Sequence, residues 1–223
     1  MITMRVLELR NNRLKLTKDI PLSQVLEGPT EEQDVEIAPG FTDADWKALD
    51  LTRVDDQLRA IEAFRLRIEE RFLKPVRAIM SFSRSGFAML ALDSLLVETL
   101  QQFIQGVAET PQGNAAAFFK AFLQRPAFRG AFDDPKAELF RTTIRNGILH
   151  QAEVKQSSLV RRDGPIIEVT ASTDGLIVNP VLFHRRLEDA FGDYVTELKA
   201  SGSPLWGPFR HKMEYIAGKN PTP

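Results

Sequence analysis

A mainly helical bundle with a small antiparallel β insertion is the fold this sequence predicts. Apolar residues recur at helical spacing through most of the chain from Val54 onward. One stretch, Phe87 to Ile104, is apolar nearly all round, as a central core helix is. Short alternating runs bounded by turn residues then fall between Ser158 and Val178, ahead of one last long helix.

Taken in order, Val6–Arg10 and Leu14–Leu16 alternate around Asn11-Asn12-Arg13 and predict an N-terminal β-hairpin. The acidic stretch from Gly28 to Gly40 holds two prolines and reads as a loop. Thr42-Asp43-Ala44-Asp45 is suited to cap a short turn that carries Trp46. Val54, Leu58, Ile61, Phe64, Ile68 and Phe72 lie on one side of a helix over about 54–73. Pro75 interrupts that helix or opens the next, which runs over about 76–105, bends near 81–86 and stops at Gly106. A shorter helix spans 115–124 and ends before Pro126; Pro135 opens another over about 136–154. Residues 158–162 and 165–170 predict two strands around Asp163-Gly164, and Leu176–Val178 a third. Asn179-Pro180 caps the last long helix, about 181–200, and the tail adds a loop with one helical turn at 209–216. The expected organisation is an N-terminal extension over 1–50, a helical domain over 51–200 with its β insertion at about 158–178, and a tail over 201–223.

Composition narrows the function classes. The chain has 223 residues, 43% hydrophobic and 26% charged, which fits a globular protein rather than a disordered one. Twenty-nine basic residues nearly balance thirty acidic ones, for a net charge of -1, which argues against coating nucleic acid by bulk charge and leaves room for a local basic cleft. There is no cysteine, so disulfides, thiolate nucleophiles and Cys-ligated zinc are excluded. The most apolar run, Gly86 to Val97, is far short of a bilayer span of ~20 residues and contains Asp93. The N-terminus has no apolar signal core, so a cytoplasmic location is expected, with no membrane partner.

The most informative stretch is Arg145-Asn146-Gly147-Ile148-Leu149-His150, near the end of the 136–154 helix in a chain with only three histidines. These residue types suit cleavage of RNA without a cation. A histidine takes the proton of a 2′-hydroxyl, whose oxygen then attacks the neighbouring phosphorus. An arginine holds the non-bridging oxygens as charge builds on them. An asparagine orients either the histidine or the phosphate. Asn146 and His150 are four apart and share a helix face, whereas Arg145 is rotated by about 140° from His150. One helix cannot easily close both on one phosphate; a symmetric dimer pairing two such helices can. Gly147 weakens its helix by ~1 kcal/mol relative to Ala, a local cost that asks for a packing or functional reason.

The stretch Phe140-Arg-Thr-Thr-Ile-Arg-Asn-Gly-Ile-Leu-His-Gln-Ala-Glu153 resembles the Arg-Asn-x-x-x-His motif helix of HEPN domains, compact helical domains many of which are metal-independent ribonucleases. The apolar helix from Gly86 to Gly106 with its embedded Glu98, and Phe118-Phe119-Lys-Ala-Phe122-Leu123, look like further parts of that domain; the likeness covers about Val54 to Leu198. What the resemblance implies is an endoribonuclease acting as a homodimer with a composite site. In it Arg145, Asn146 and His150 would be catalytic, no cofactor or metal would be needed, and RNA would be the substrate. Such proteins often serve as toxins or in phage defence, held by an antitoxin or other regulatory protein partner. Other HEPN domains are non-catalytic dimerisation or adaptor modules, or bind nucleotides.

Around the motif, Glu98 is suited to orient Arg145 or His150, or else faces solvent, and Asp93 shares that ambiguity. Arg141, four residues before Arg145, either extends a basic patch toward RNA or is a solvated arginine. His184 and Glu188 share a helix face as a metal pair would, but no third ligand has suitable spacing, and a surface pair is expected. Arg161-Arg162 and His184-Arg185-Arg186 are short basic clusters expected on solvated faces. There is no Gly-rich phosphate loop and no G-x-S-x-G elbow.

Overall fold

The computed structural model describes residues 3–10, 13–21 and 34–218. It is mainly α, 61% helical and 7% strand, as the helical periodicity predicts. Two compact units divide it, one holding the N-terminal strands and the other beginning at Glu36. In the first, β1 (Thr3–Arg10) pairs antiparallel with β2 (Arg13–Pro21), so the expected hairpin forms with longer strands than the alternation alone suggests. Of the expected loop over 28–40, residues 28–33 lie outside the described residues.

The second unit opens with β3 (Glu36–Ala38) and β4 (Phe41–Thr42), a minimal antiparallel pair leading into α1 (Asp43–Lys47). Thr42 and Asp45 form a capping box, and Ile37 and Trp46 enter the same core as the long helices. Helix α2 (Val54–Ile68) widens into a π turn (Glu69–Leu73) and continues as α3 (Lys74–Ile79), so Pro75 sits in the first turn of a new segment without breaking the rod. After a turn over 80–85 comes α4 (Gly86–Gln105), the expected core helix. It is the one helix among the described residues long and apolar enough to cross a bilayer, and 50% of that window is buried inside the protein. It stops at Gly106, whose φ of 65° is left-handed and whose missing Cβ would lie 2.6 Å from the Pro208 Cα.

Helix α5 (Ala115–Leu123), a 3-10 turn (Pro126–Phe128) and α6 (Asp134–Leu139) follow. A π stretch (Phe140–Arg145) joins α6 to α7 (Asn146–Gln151). The insertion comprises β5 (Leu159–Val160), β6 (Ile167–Val169) and β7 (Leu176–Val178). Its strands do not pair as the sequence suggests. β7 is central, antiparallel to β6 but parallel to β5, so residues around Asp163-Gly164 do not close a hairpin. The cause lies outside the sheet: the Arg162 guanidinium is drawn to the bend before α4, donating to the Met80 carbonyl (2.6 Å), the Phe82 carbonyl (2.6 Å) and Ser85 Oγ (2.7 Å). Helix α8 (Pro180–Lys199) is capped by Asn179, whose side chain accepts from the Val181 and Leu182 amides. The tail, expected as a single turn, forms the full helix α9 (Trp206–Ala217), with Phe209 and Met213 buried.

Two aromatic groups hold this unit together. Phe64 of α2, Phe103 of α4, Tyr194 of α8 and Phe209 of α9 meet in one, with Phe64 and Phe103 centroids 4.4 Å apart. In the other, Phe183 of α8 stacks on Phe140 at 4.8 Å and packs against Phe128 and Phe132. Phe140 opens the π stretch, so this second group fixes the segment that carries Arg145.

Candidate functional site

The motif helix starts conventionally. Asp133 accepts from the Lys136 amide at 2.9 Å and Pro135 occupies the first turn. It then widens. The Asn146 amide donates to the Arg141 carbonyl, five residues back, and the Thr142 and Thr143 hydroxyls donate to the Glu138 and Leu139 carbonyls. The Thr143 carbonyl accepts instead from the Lys155 amide at 2.9 Å, which ties the segment after α7 back across the helix. The helix ends at Gln151, shorter than expected, because Ala152 turns left-handed (φ 54°) and its amide closes on the Ile148 carbonyl. Gly147 supplies the space for that return. A Cβ there would lie 2.4 Å from the Glu153 carbonyl oxygen, so the glycine is a packing requirement of the motif segment.

Three of the residues singled out from the sequence meet. Arg145 donates through Nη2 to Glu98 Oε2 at 2.9 Å and through Nη1 to Asn146 Oδ1 at 3.0 Å. Its guanidinium carbon lies 5.8 Å from the centre of the Phe119 ring. The Arg145 and Glu98 side chains are each only 19% exposed, and Arg145 Nε is buried with no hydrogen-bond partner among the described residues. Arg145 is thus gripped by α4, α5 and its own helix, with donor capacity left over. Of the two partners open to Glu98, the geometry selects Arg145.

His150 stands apart. It is exposed on α7, one turn beyond Asn146, and has no partner among the described residues. Arg141 also stays outside the cluster. It makes a two-pronged ion pair with Glu138, at 3.0 and 2.6 Å, that lifts the arginine above its ordinary pKa and lowers the glutamate. The π widening explains this: closing one turn takes about one more residue there, so a side chain four positions before Arg145 falls short of its face.

A second polar cluster was not foreseen as such. His184, expected at the surface, is 0% exposed and bonds through Nδ1 to Asp93 Oδ1 at 2.8 Å, itself 1% exposed. Its Nε2 lies 3.6 Å from Glu188 Oε1, and Glu188 pairs with Arg77, which also holds Glu69. A chain of polar groups therefore runs from Asp93 and His184 in the core through Glu188 to Arg77 at the surface. Burial pushes the Asp93 carboxyl above its ordinary pKa, against the opposing pull of His184. Among the described residues, Asp93 Oδ2, Ser94 Oγ and His184 Nε2 are buried without hydrogen-bond partners. The sequence signal was Asp93 itself: a carboxylate inside a helix apolar all round needs a buried partner.

A held guanidinium with its carboxamide can bind a phosphodiester, and an accessible imidazole can exchange protons with one, but a single helix does not bring Arg145 and His150 together. Comparison of the chain with family models, with curated proteins and with solved structures gave no match.

Proposed function

We propose that the protein is a metal-independent RNA endonuclease of the HEPN type, working as a homodimer in the cytoplasm, in a toxin-like or phage-defence setting with a regulatory protein partner. The His150 imidazole takes the proton from a 2′-hydroxyl, the 2′-oxygen bonds to phosphorus, and the bond to the 5′-oxygen breaks as the imidazolium gives the proton to that oxygen. The products are a cyclic phosphate and a 5′-hydroxyl end. Arg145 stabilises the charge that grows on the non-bridging oxygens, and Asn146 and Glu98 hold it in place.

The observation that carries this proposal is the contrast between the two key side chains. Arg145 is fixed by Glu98, Asn146 and Phe119, while His150 is exposed and without a partner among the described residues. A helix serving only as scaffold would have paired its imidazole off. Dimerisation is supported by an uncovered seam on α4 beside Glu98. Ala88, Leu92, Leu95 and Thr99 recur at spacings of four, three and four, and Leu95 is 42% exposed. A non-catalytic dimerisation or adaptor module, binding a partner protein or a nucleotide, is favoured by one observation: Glu98 already neutralises Arg145.

The test is incubation of wild type and His150→Ala with total and transfer RNA, with and without EDTA, followed by end-group analysis. The expected result is EDTA-resistant cleavage leaving cyclic phosphate ends, reduced by about 10²–10⁴-fold in the variant. Cleavage abolished by EDTA, or full activity in His150→Ala, would contradict the mechanism.

A further inference from the structure

Away from the motif, a groove of about 300 Å³ lies between the loop after the Pro126–Phe128 turn, the start of α6, the entry to β6 and one face of α8. Its cations come from three different elements: Arg129 from the loop, Lys136 from α6 and Arg186 from α8. Its apolar wall includes Ala127, Pro165 and Ile166, and no acidic side chain among the described residues lines it. Among the acids that flank it in sequence, Asp133 meets a cation of the groove, whereas Asp134, Asp163 and Glu168 meet cations outside it. Asp133 caps α6 and lies 3.4 Å from Lys136 Nζ, Asp134 pairs with Lys120, and Asp163 and Glu168 both pair with Arg161. Arg129 and Arg186 are exposed and have no ion-pair partner among the described residues. Two guanidinium groups unpaired among the described residues, and an ammonium 3.4 Å from Asp133, thus line one concavity in a chain whose net charge is only -1.

We infer that this groove is a binding site for phosphate esters, separate from the Arg145–His150 motif and independent of whether that motif cuts RNA. Arginine forks match phosphate oxygens in pairs, and the lysine adds a point charge. The volume is at the low end for small-molecule sites, the size of one nucleotide. The apolar wall suits the organic part of an ester better than a bare anion. Lys136 lies fourteen positions before His150 on the same helical run, about 20 Å at 1.5 Å per residue, so one small ligand cannot touch both.

The experiment is calorimetric titration of the full chain with uridine monophosphate, with inorganic phosphate, and with a six-nucleotide 2′-deoxy oligomer that the motif cannot cleave. Uridine monophosphate is expected to bind more tightly than inorganic phosphate. Arg129→Ala and Arg186→Ala should each weaken it by roughly tenfold, the loss of one charge-assisted contact. Arg210→Ala, on the exposed face of α9 and outside the groove, should bind as wild type does. An oligomer that binds more tightly and shows the same losses identifies a nucleic-acid backbone as the source of the phosphate; one that gains nothing identifies a free ester. Both outcomes support the site. Unchanged affinity in the variants, or no millimolar binding of any probe, overturns it. Thermal melts verify folding, and Arg186→Ala, on an exposed helix face, serves alone if Arg129→Ala does not fold.

Discussion

Replacing Gly147 by alanine tests how the motif helix is held. The added Cβ would meet the Glu153 carbonyl oxygen at 2.4 Å, the Val154 Cα at 3.1 Å and the Lys155 amide nitrogen at 3.2 Å. All three are backbone atoms, so no side-chain rotation relieves the contact. The carbonyl must retreat by roughly 0.6 Å or more, an overpacking that typically costs about 1–3 kcal/mol. The same movement stretches the Lys155–Thr143 hydrogen bond of 2.9 Å, adding about 0.5–1.5 kcal/mol if it is lost. Alanine returns ~1 kcal/mol of helix propensity. The expected balance is a destabilisation of about 0.5–3.5 kcal/mol, read as a fall in melting temperature of about 2–4 °C per kcal/mol for a chain of this size. Gly192→Ala is the matched control. It lies on an exposed face of α8 with nothing within 4 Å of the new Cβ. There the propensity gain stands alone, and stability should rise by up to ~1 kcal/mol. Thermal and urea denaturation of both variants measure the contrast. Shifts of the same sign, or a Gly147→Ala protein as stable as wild type, would refute the packing argument.

Three further outcomes are expected. Asp93 has a raised folded pKa, so its contribution to stability is full below the ordinary carboxylate value and is lost as pH rises through the folded one; the stability of wild type minus that of Asp93→Asn should therefore fall as pH rises from about 4, and a difference that grows in urea titrations would contradict this. Glu98→Gln weakens the grip on Arg145 at a cost of about 1–3 kcal/mol, and under the proposed function it slows RNA cleavage more than it raises KM; unchanged kcat would remove Glu98 from the positioning role. Under the proposed homodimer, Leu95→Glu puts a charge on the exposed α4 seam and should halve the particle mass in sedimentation without changing the circular dichroism, whereas an unchanged mass would remove this seam from any self-association.

Much of the helical framework was legible because its signals are local. Gly106 and Asn179 mark helix ends by their own chemistry, and the all-round apolar run from Phe87 requires burial whatever surrounds it. The tail was less legible, since Pro204, Gly207 and Pro208 read as loop while Phe209 and Met213 form a helix only because a core receives them. Neither π stretch leaves a mark in composition; each depends on tertiary contacts that support the wider turn. His184 was misplaced for a related reason. Its neighbours Arg185, Arg186 and Asp189 read as a solvated face, and its burial follows from Asp93, 91 residues earlier. The same kind of long-range pairing, Glu98 with Arg145 across 47 residues, could be named from sequence only as one of several options. Pairing in the small sheet failed because Arg162 is anchored outside it.

The claim at the centre of the account is that Arg145 and His150 of different protomers act on one phosphodiester. Mixing inactive Arg145→Ala with inactive His150→Ala, after dissociation and reassociation, tests it directly. RNA cleavage restored in the mixture, absent from either variant alone and resistant to EDTA, is the predicted result. A mixture as inactive as its components, under conditions where the wild type cuts, would show that each protomer works with its own residues; no cleavage by the wild type would remove the catalytic role altogether.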